Sequence, residues 1–361
     1  MPPFDAAPDY QLFSGVLRNP DRLIELSATE YSRVIDAAQA ARLLGWLLAR
    51  GDERRAPANT TPWLSDRLAH CRAYAREYER ALTWEIGRLS RAFAETDVPW
   101  VLLKGAAYVA ASLPPGRGRR VADIDVLVPA KDLQSAEQAL RRHGWEPKAL
   151  DAYDERYYRE WMHELPPMVH RTRQSVVDLH HAILPRTSRL RPSSERLLER
   201  AIVTSGGERV LCPSHMILHA SAHLFHDGEV AGALRDLVDL DELLRVFGSE
   251  PAFWGNLTEE AAALDLTRPF FYTLRYARRW FDTPIPSEVM GRSNTWAPPA
   301  LVLGLMDALV ERTLPTMPRR PSPAAAFALY VRSHWLRMPP GQLVRHLARK
   351  SWPARSTNRV L

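Results

Sequence analysis

Eight residues constrain this chain more than any others: Val121–Val128, reading VADIDVLV. Side chains two apart on a strand share a face, so Asp123 and Asp125 point one way and Ile124 and Val126 the other. Two like charges on a half-buried strand are costly unless something cationic neutralises them. A divalent metal is the natural candidate, because Mg²⁺ takes one or two carboxylates together with substrate phosphates. The plain alternative is a strand whose polar face carries two solvated aspartates, and the flanking sequence decides against it.

Upstream lies PWVLLKGAAYVAASL, Pro99–Leu113. Trp100–Leu103 is expected as a short buried strand and Ala106–Leu113 as a helix stopped by Pro114 and Pro115, with Lys104-Gly105 between them. Gly105 would let the backbone approach a phosphate at the helix start; otherwise it is an ordinary turn residue. Lys104 would meet a phosphate or form a structural ion pair. PPGRGRR follows, and of its two last arginines Arg120, more than Arg119, is placed to clamp a leaving pyrophosphate. Otherwise both are solvated loop charges. Together these parts point to phosphoryl or nucleotidyl transfer.

LLKGAAY, RRVADIDVLVPAKDL and LRRHGWEP, taken together, resemble the uncharacterised nucleotidyltransferase family of the polymerase-beta-like superfamily. The resemblance runs over about Ala92–Leu244. It implies a small α/β core with a mixed sheet, a Gly-rich turn opening a helix, an Asp-x-Asp strand and a third carboxylate on a later strand. SVVDLHHAIL, Ser175–Leu184, supplies that carboxylate as Asp178. The superfamily's Gly-Ser turn is replaced by Lys104-Gly105-Ala106, a form that the resemblance to this family accommodates. Asp123, Asp125 and Asp178 would then be catalytic and metal-binding, with Mg²⁺ or Mn²⁺ as cofactor. Lys104, Gly105, Arg119 and Arg120 would bind an NTP such as ATP. The reaction would move NMP to a hydroxyl of a small molecule, a peptide or protein, or an RNA end. A non-catalytic nucleotide-binding module on the same fold is the alternative.

The 361 residues allow two domains or one core with helical additions, expected as 1–95 helical, 96–192 the α/β core and 193–361 helical. Cys71 and Cys212 have no motif spacing, no run is apolar enough to span a membrane, and the N-terminus lacks a signal-peptide pattern. A cytoplasmic protein is expected. The net charge of +6 is unevenly spread, because Arg312–Leu361 holds ten basic and no acidic residues, leaving 38 basic against 42 acidic up to Glu311. That tail either contacts a polyanion or is simply solvated in an arginine-rich chain.

Along the chain, helical segments are expected over Tyr10–Leu48 and Trp63–Glu95, with Gly51–Pro62 as a linker. Further strands are expected at Trp145–Lys148, Met168–His170 and Val176–His180, and helices at Asp132–His143 and Ala152–His163. From Ser193 onward only helices are expected, including Glu229–Val246, with Pro315–Pro323 as a linker and Gln342–Lys350 as a last helical piece. His215, His219, His223 and His226 fall on one helix, and the spacing of the last three could bind zinc with Asp236 and Asp239 from the next helix. That would make a helical metal phosphohydrolase. The sequence HASAH lacks the glutamate of a zinc-protease motif, so a polar helix–helix contact is the simpler expectation. His180 and His181 follow Asp178 and could line the site. The aspartate pair leads to one further expectation: Asp125→Asn should remove a metal response and leave the fold intact.

Overall fold

The computed structural model describes residues 8–50, 62–227, 230–314, 322–341 and 343. Four helices precede the sheet: α1 (Pro8–Arg18), α2 (Ala28–Ala40), α3 (Leu44–Arg50) and α4 (Pro62–Ala94). A capping box starts α2, with Ser27 accepting from the Glu30 backbone N–H and Glu30 reaching back to the Ser27 backbone N–H. The expected 63–95 helix is present as α4, 33 residues long, burying Leu64, Leu68, Leu82, Ile86, Leu89 and Phe93.

The core then alternates strand and helix: β1 (Val101–Leu102), α5 (Lys104–Ala110), β2 (Ile124–Leu127), α6 (Leu133–Arg142), β3 (Trp145–Pro147), α7 (Ala152–Trp161), β4 (Met168–His170) and β5 (Val176–His180). Every strand expected here is present, β4 and β5 with the expected bounds and β1, β2 and β3 shorter than expected. After α8 (Ser194–Glu199), two short strands, β6 (Ile202–Val203) and β7 (Arg209–Val210), form a hairpin in the stretch expected to be helical. The sheet order is β3-β4-β5-β2-β1-β7-β6. β7 pairs parallel with β1, Leu102 opposite Val210, so residues beyond 193 complete the sheet.

The remaining helices are α9 (Pro213–Ala222), α10 (Leu234–Phe247), α11 (Phe253–Ala263), α12 (Thr267–Phe281), α13 (Ser287–Asn294), α14 (Ala300–Glu311) and α15 (Pro323–Arg337). The helix expected from Glu229 begins only at Leu234, after Gly232 with φ +80°. The linkers expected at 51–62 and 315–323 lie outside the described residues except for Pro62, Ser322 and Pro323. The 342–350 piece, except for Leu343, and about half of the basic tail also lie outside them. The apolar side chains of the sheet and the helices on both sides of it belong to one continuous core.

Two ties fix the N-terminal helices to the sheet. Glu85 of α4 accepts from Arg173 Nε at 2.6 Å and from Ser175 Oγ at 3.1 Å, and the Tyr78 hydroxyl donates to the Val121 carbonyl. The start of α3 also meets the loop before β2 backbone to backbone. A Cβ on Gly45 would lie 2.0 Å from the Gly118 carbonyl oxygen, and Gly118 has φ +64°. Gly45→Ala is therefore expected to cost about 1–3 kcal/mol or more, as overpacking against backbone does. Gly87, inside α4 with nothing within 4 Å of a Cβ, should gain about 0.5–1 kcal/mol as alanine. Urea unfolding of the two variants checks the contrast, and a neutral Gly45→Ala would rule out the close approach.

Candidate functional site

The register of β2 with β5 builds the site. The pair is parallel, with Asp125 opposite Asp178 and Leu127 opposite His180. Asp123 precedes β2 and lies on the same face as Asp125, so all three aspartates and His180 project from one side. Ile124, Val126, Val177 and Leu179 bury the other side.

Asp125 is 4% exposed and sits at the centre. Its Oδ1 accepts from Lys104 Nζ at 2.7 Å and lies 2.9 Å from His180 Nε2. Burial pushes its pKa up, but Lys104 and His180 outweigh that and hold it well below the usual carboxylate range. Burial works to lower the Lys104 and His180 pKa values, and the bond to Asp125, with Glu164 nearby, carries both above their ordinary values. This corrects the expectation for Asp125→Asn. The substitution would leave the partly buried Lys104 ammonium and the buried His180 ring facing an uncharged amide, and breaking a buried pair in this way costs several kcal/mol. Asp123, half-buried, is the better probe.

The other carboxylates are less closely partnered. Burial and then the Asp125 charge raise the Asp123 pKa. Glu164, bridged to the end of β5 and 3.4 Å from His180 Nε2, is raised by burial. Asp178 is pushed up to about 7, by burial first and then by Glu164, Asp125 and Asp123, and its buried Oδ1 has no hydrogen-bond partner. The site thus holds more carboxylate than cation, an arrangement suited to a divalent ion. The three aspartates do not close on one point. The ligand-type atoms within 4.8 Å of one another, among the described residues, are those of His163, Glu164 and His180. Lys104 Nζ instead stands on Asp125 as the resident counter-charge.

Lys104 is itself unusual. It is expected at the end of a strand, yet it is the first residue of α5 and has φ +46°, a left-handed conformation rare for a side chain of this size. α5 is only seven residues long and starts earlier than expected. Gly105 is buried beneath the preceding loop of β2. A Cβ there would lie 2.7 Å from Arg119 Nε and 2.9 Å from Val121 Cγ2, so the glycine makes room for Arg119.

The two arginines separate. Arg119 pairs with Asp239 of α10, lies 3.8 Å from Asp236 and stacks over Tyr108 at 5.8 Å. Asp239 also accepts from Arg235 Nε at 2.8 Å, and Arg235 donates to the Pro115 carbonyl at 2.7 Å. Asp236 and Asp239 therefore clamp the β2 loop to α10, and Asp239 is not a partner of the histidines. Arg120 is exposed and hydrogen-bonds Tyr78. Lys104, Gly105, Arg119, Arg120, Asp123 and Asp125 line one cleft of about 280 Å³, closed on its far side by His223 and α10.

The histidines do not form the zinc set considered from spacing. α9 ends at Ala222, and His223–Asp227 is a π-turn that breaks the three- and four-residue stacking. His226 Nε2 turns to Ser188 Oγ at 2.8 Å, and His215 Nε2 lies 2.9 Å from Glu260 Oε2. Burial and then the Lys104 charge push His219 well below its ordinary value, and burial takes His163 down to about 3, so both are neutral. Glu164 and His163 had no motif around them in the sequence. His180 was visible only as a neighbour of Asp178.

The raised Asp178 pKa sets a stability signature. The unfolded chain releases this proton near pH 4 and the folded chain only near 7, so this carboxyl lowers stability progressively as pH rises between those values. In EDTA, Asp178→Asn should melt close to wild type at pH 4.5 and several degrees higher at pH 8. Melting curves across that range check it. A difference independent of pH would mean that Asp178 titrates normally.

Residues 27–282 match the family model described as uncharacterised nucleotidyltransferase. The match extends beyond the core recognised in the sequence, taking in α2, α3 and α4 on one side and α11 and α12 on the other. No curated protein and no solved structure matches the chain. With more than half of its length covered, the chain belongs to the uncharacterised nucleotidyltransferase family.

Proposed function

We propose that this protein transfers a nucleoside monophosphate from an NTP to a hydroxyl acceptor, with Asp123, Asp125 and Asp178 as the central carboxylates. The observation that carries the reading is the parallel β2–β5 register, which sets Asp178 beside Asp125 on the face that bears Asp123 and Lys104. Family membership supports the reaction class.

Mg²⁺ or Mn²⁺ fits the donor set, since Asp123, Asp178 and Glu164 carry charge that Lys104 and His180 do not balance and one Asp178 oxygen is unpartnered. Such an ion, held by Asp123 and Asp125 with Asp178 on the same face beside them, would neutralise the triphosphate and make the acceptor hydroxyl more acidic. The protein's own groups do the rest. Lys104 exchanges its bond to Asp125 for one to a phosphate oxygen, and Arg120 supplies a second, exposed cation where Lys104 is partly buried. Asp178 takes the hydroxyl proton, a role suited to a carboxylate that titrates near neutrality. The acceptor oxygen bonds to the α-phosphorus, the bond from that phosphorus to the β-phosphate's bridging oxygen breaks, and pyrophosphate leaves. Buried Asp125 and His180 keep Lys104 oriented until substrate arrives.

The Lys104–Asp125 bond also favours a second reading, a nucleotide-binding module in which the lysine permanently replaces a metal. Incubation with α-³²P-labelled NTPs, Mg²⁺ and cell extract separates the two by asking whether any molecule becomes labelled. Mg²⁺ or Mn²⁺ should raise the melting temperature; saturation at 100 times Kd corresponds to about 2.7 kcal/mol. Asp123→Asn should remove most of that rise and lower labelling about 10²–10³-fold. A full metal response in Asp123→Asn would place the ion elsewhere, and no labelling with any NTP would leave the module.

A further inference from the structure

A second cavity of about 870 Å³ opens beside the cleft, between α2, α3, α4 and the loop that leads into β2. Arg119, Arg120, Ala122 and Asp236 line both spaces, so the two are continuous. Its volume is that of a small-molecule site. No residue of β5 or of the Glu164 loop lines it.

The lining is strongly cationic. Five arginines and one carboxylate, Asp236, face the space. Arg119 and Arg235 are spent on Asp239. Arg42, Arg67 and Arg120 remain, each from a different element. Arg67 reaches Gln39 and lies 3.4 Å from the exposed Asp36, a weak competitor for a bound anion. Arg42 has no ion pair among the described residues. It sits at the turn between α2 and α3 with φ +58°, held by its N–H to the Gln39 carbonyl at 3.1 Å. That conformation is the ordinary closure of a helix, with the Leu43 N–H on the Ala38 carbonyl at 2.7 Å, and it leaves the Arg42 side chain exposed at the cavity rim. Tyr74 and Tyr78 add an aromatic wall, their ring centroids 6.3 Å apart, and Tyr78 is fixed by its bonds to Val121 and Arg120.

We propose that this cavity is the acceptor site and that the acceptor is a phosphate-bearing hydroxyl compound, its phosphate held by Arg42, Arg67 and Arg120 and its body lying on the tyrosines. A nucleoside is uncharged and would not call for three arginines from three elements, whereas guanidinium groups suit phosphate oxygens bidentately. Arg120, at the junction, faces both substrates. The assignment rests on the nucleotidyl-transfer reading, and it gives the N-terminal helices, which the family match covers from residue 27, a part in the chemistry.

The test uses full-length protein at physiological ionic strength, with Mg²⁺ and a non-hydrolysable α,β-methylene NTP filling the cleft. Inorganic phosphate is the probe, its binding followed by ³¹P line broadening. Wild type should bind phosphate saturably. Arg42→Glu should weaken that at least tenfold, Arg42→Lys should retain most of it, and both should keep the NTP analogue's affinity within twofold and the wild-type melting temperature. Phosphate binding unchanged in Arg42→Glu, or no saturable binding to wild type, overturns the proposal. An analogue affinity that falls in step with phosphate also overturns it, by making the cavity part of the NTP site. If the analogue fails to bind wild type, the nucleotidyl-transfer reading falls, while phosphate binding by wild type that is lost in Arg42→Glu still assigns the cavity to an anion.

Discussion

One buried carboxylate sets the terms for the rest of the site. Asp125, nearly inaccessible in the middle of the sheet, remains ionised because Lys104 and His180 both hold its Oδ1. A lone charge there would cost far more than folding can spare. The demand for those partners fixes much else: His180 must lie two residues after Asp178 on the neighbouring strand, and Lys104 must enter from the end of β1. The left-handed backbone at Lys104 is the conformational cost of bringing its ammonium onto the sheet face. Of the remaining carboxylates Glu164 has only the 3.4 Å approach of His180, and burial, followed by the neighbouring carboxylate charges, pushes the Asp178 pKa up to about 7.

The cleft wall is a matter of charge pairing as well. Arg119 looks, by position, like a phosphate ligand. In the fold it ties the β2 loop to α10 through Asp239, while Arg235 binds the same carboxylate and the Pro115 carbonyl. Gly105 serves this clamp, leaving room where Arg119 passes. Buried, paired charges of this kind are weak sources of stability but strong determinants of which surfaces meet. Their pairing makes exposed Arg120, and not Arg119, the cation available to a ligand.

Much of the core was legible because its signals are local. VADIDVLV alternates as a strand must, and the 63–95 stripe is long and periodic enough to identify α4. The same-face relation of Asp178 to the pair followed from the family resemblance, and the parallel register supplies its physical basis. What failed to show depends on short or non-local features. The β6–β7 hairpin has two-residue strands, too short for a period to register, although SGG between them is a turn signal. The π-turn at His223–Asp227 shifts the histidines off the helix face that a 3.6-residue period assumes. Glu164 and His163 reach the site only because the chain after α7 pairs with the end of β5.

The same contrast explains where new specificity can reside. A carboxylate site of this kind fixes the reaction but says little about the acceptor, because every NTP brings the same triphosphate. Selection must come from walls that differ in shape and charge. In this fold those walls are the N-terminal helices, joined to the β2 loop by the Gly45–Gly118 contact and the Tyr78–Val121 bond. Both ties end within a few residues of Asp123. A ligand pressed against α2–α4 therefore acts on the segment that carries the aspartates. If the outer cavity takes the acceptor as proposed, a misfit there would reach the aspartates through Gly118 and Val121 and be felt at the reacting centre.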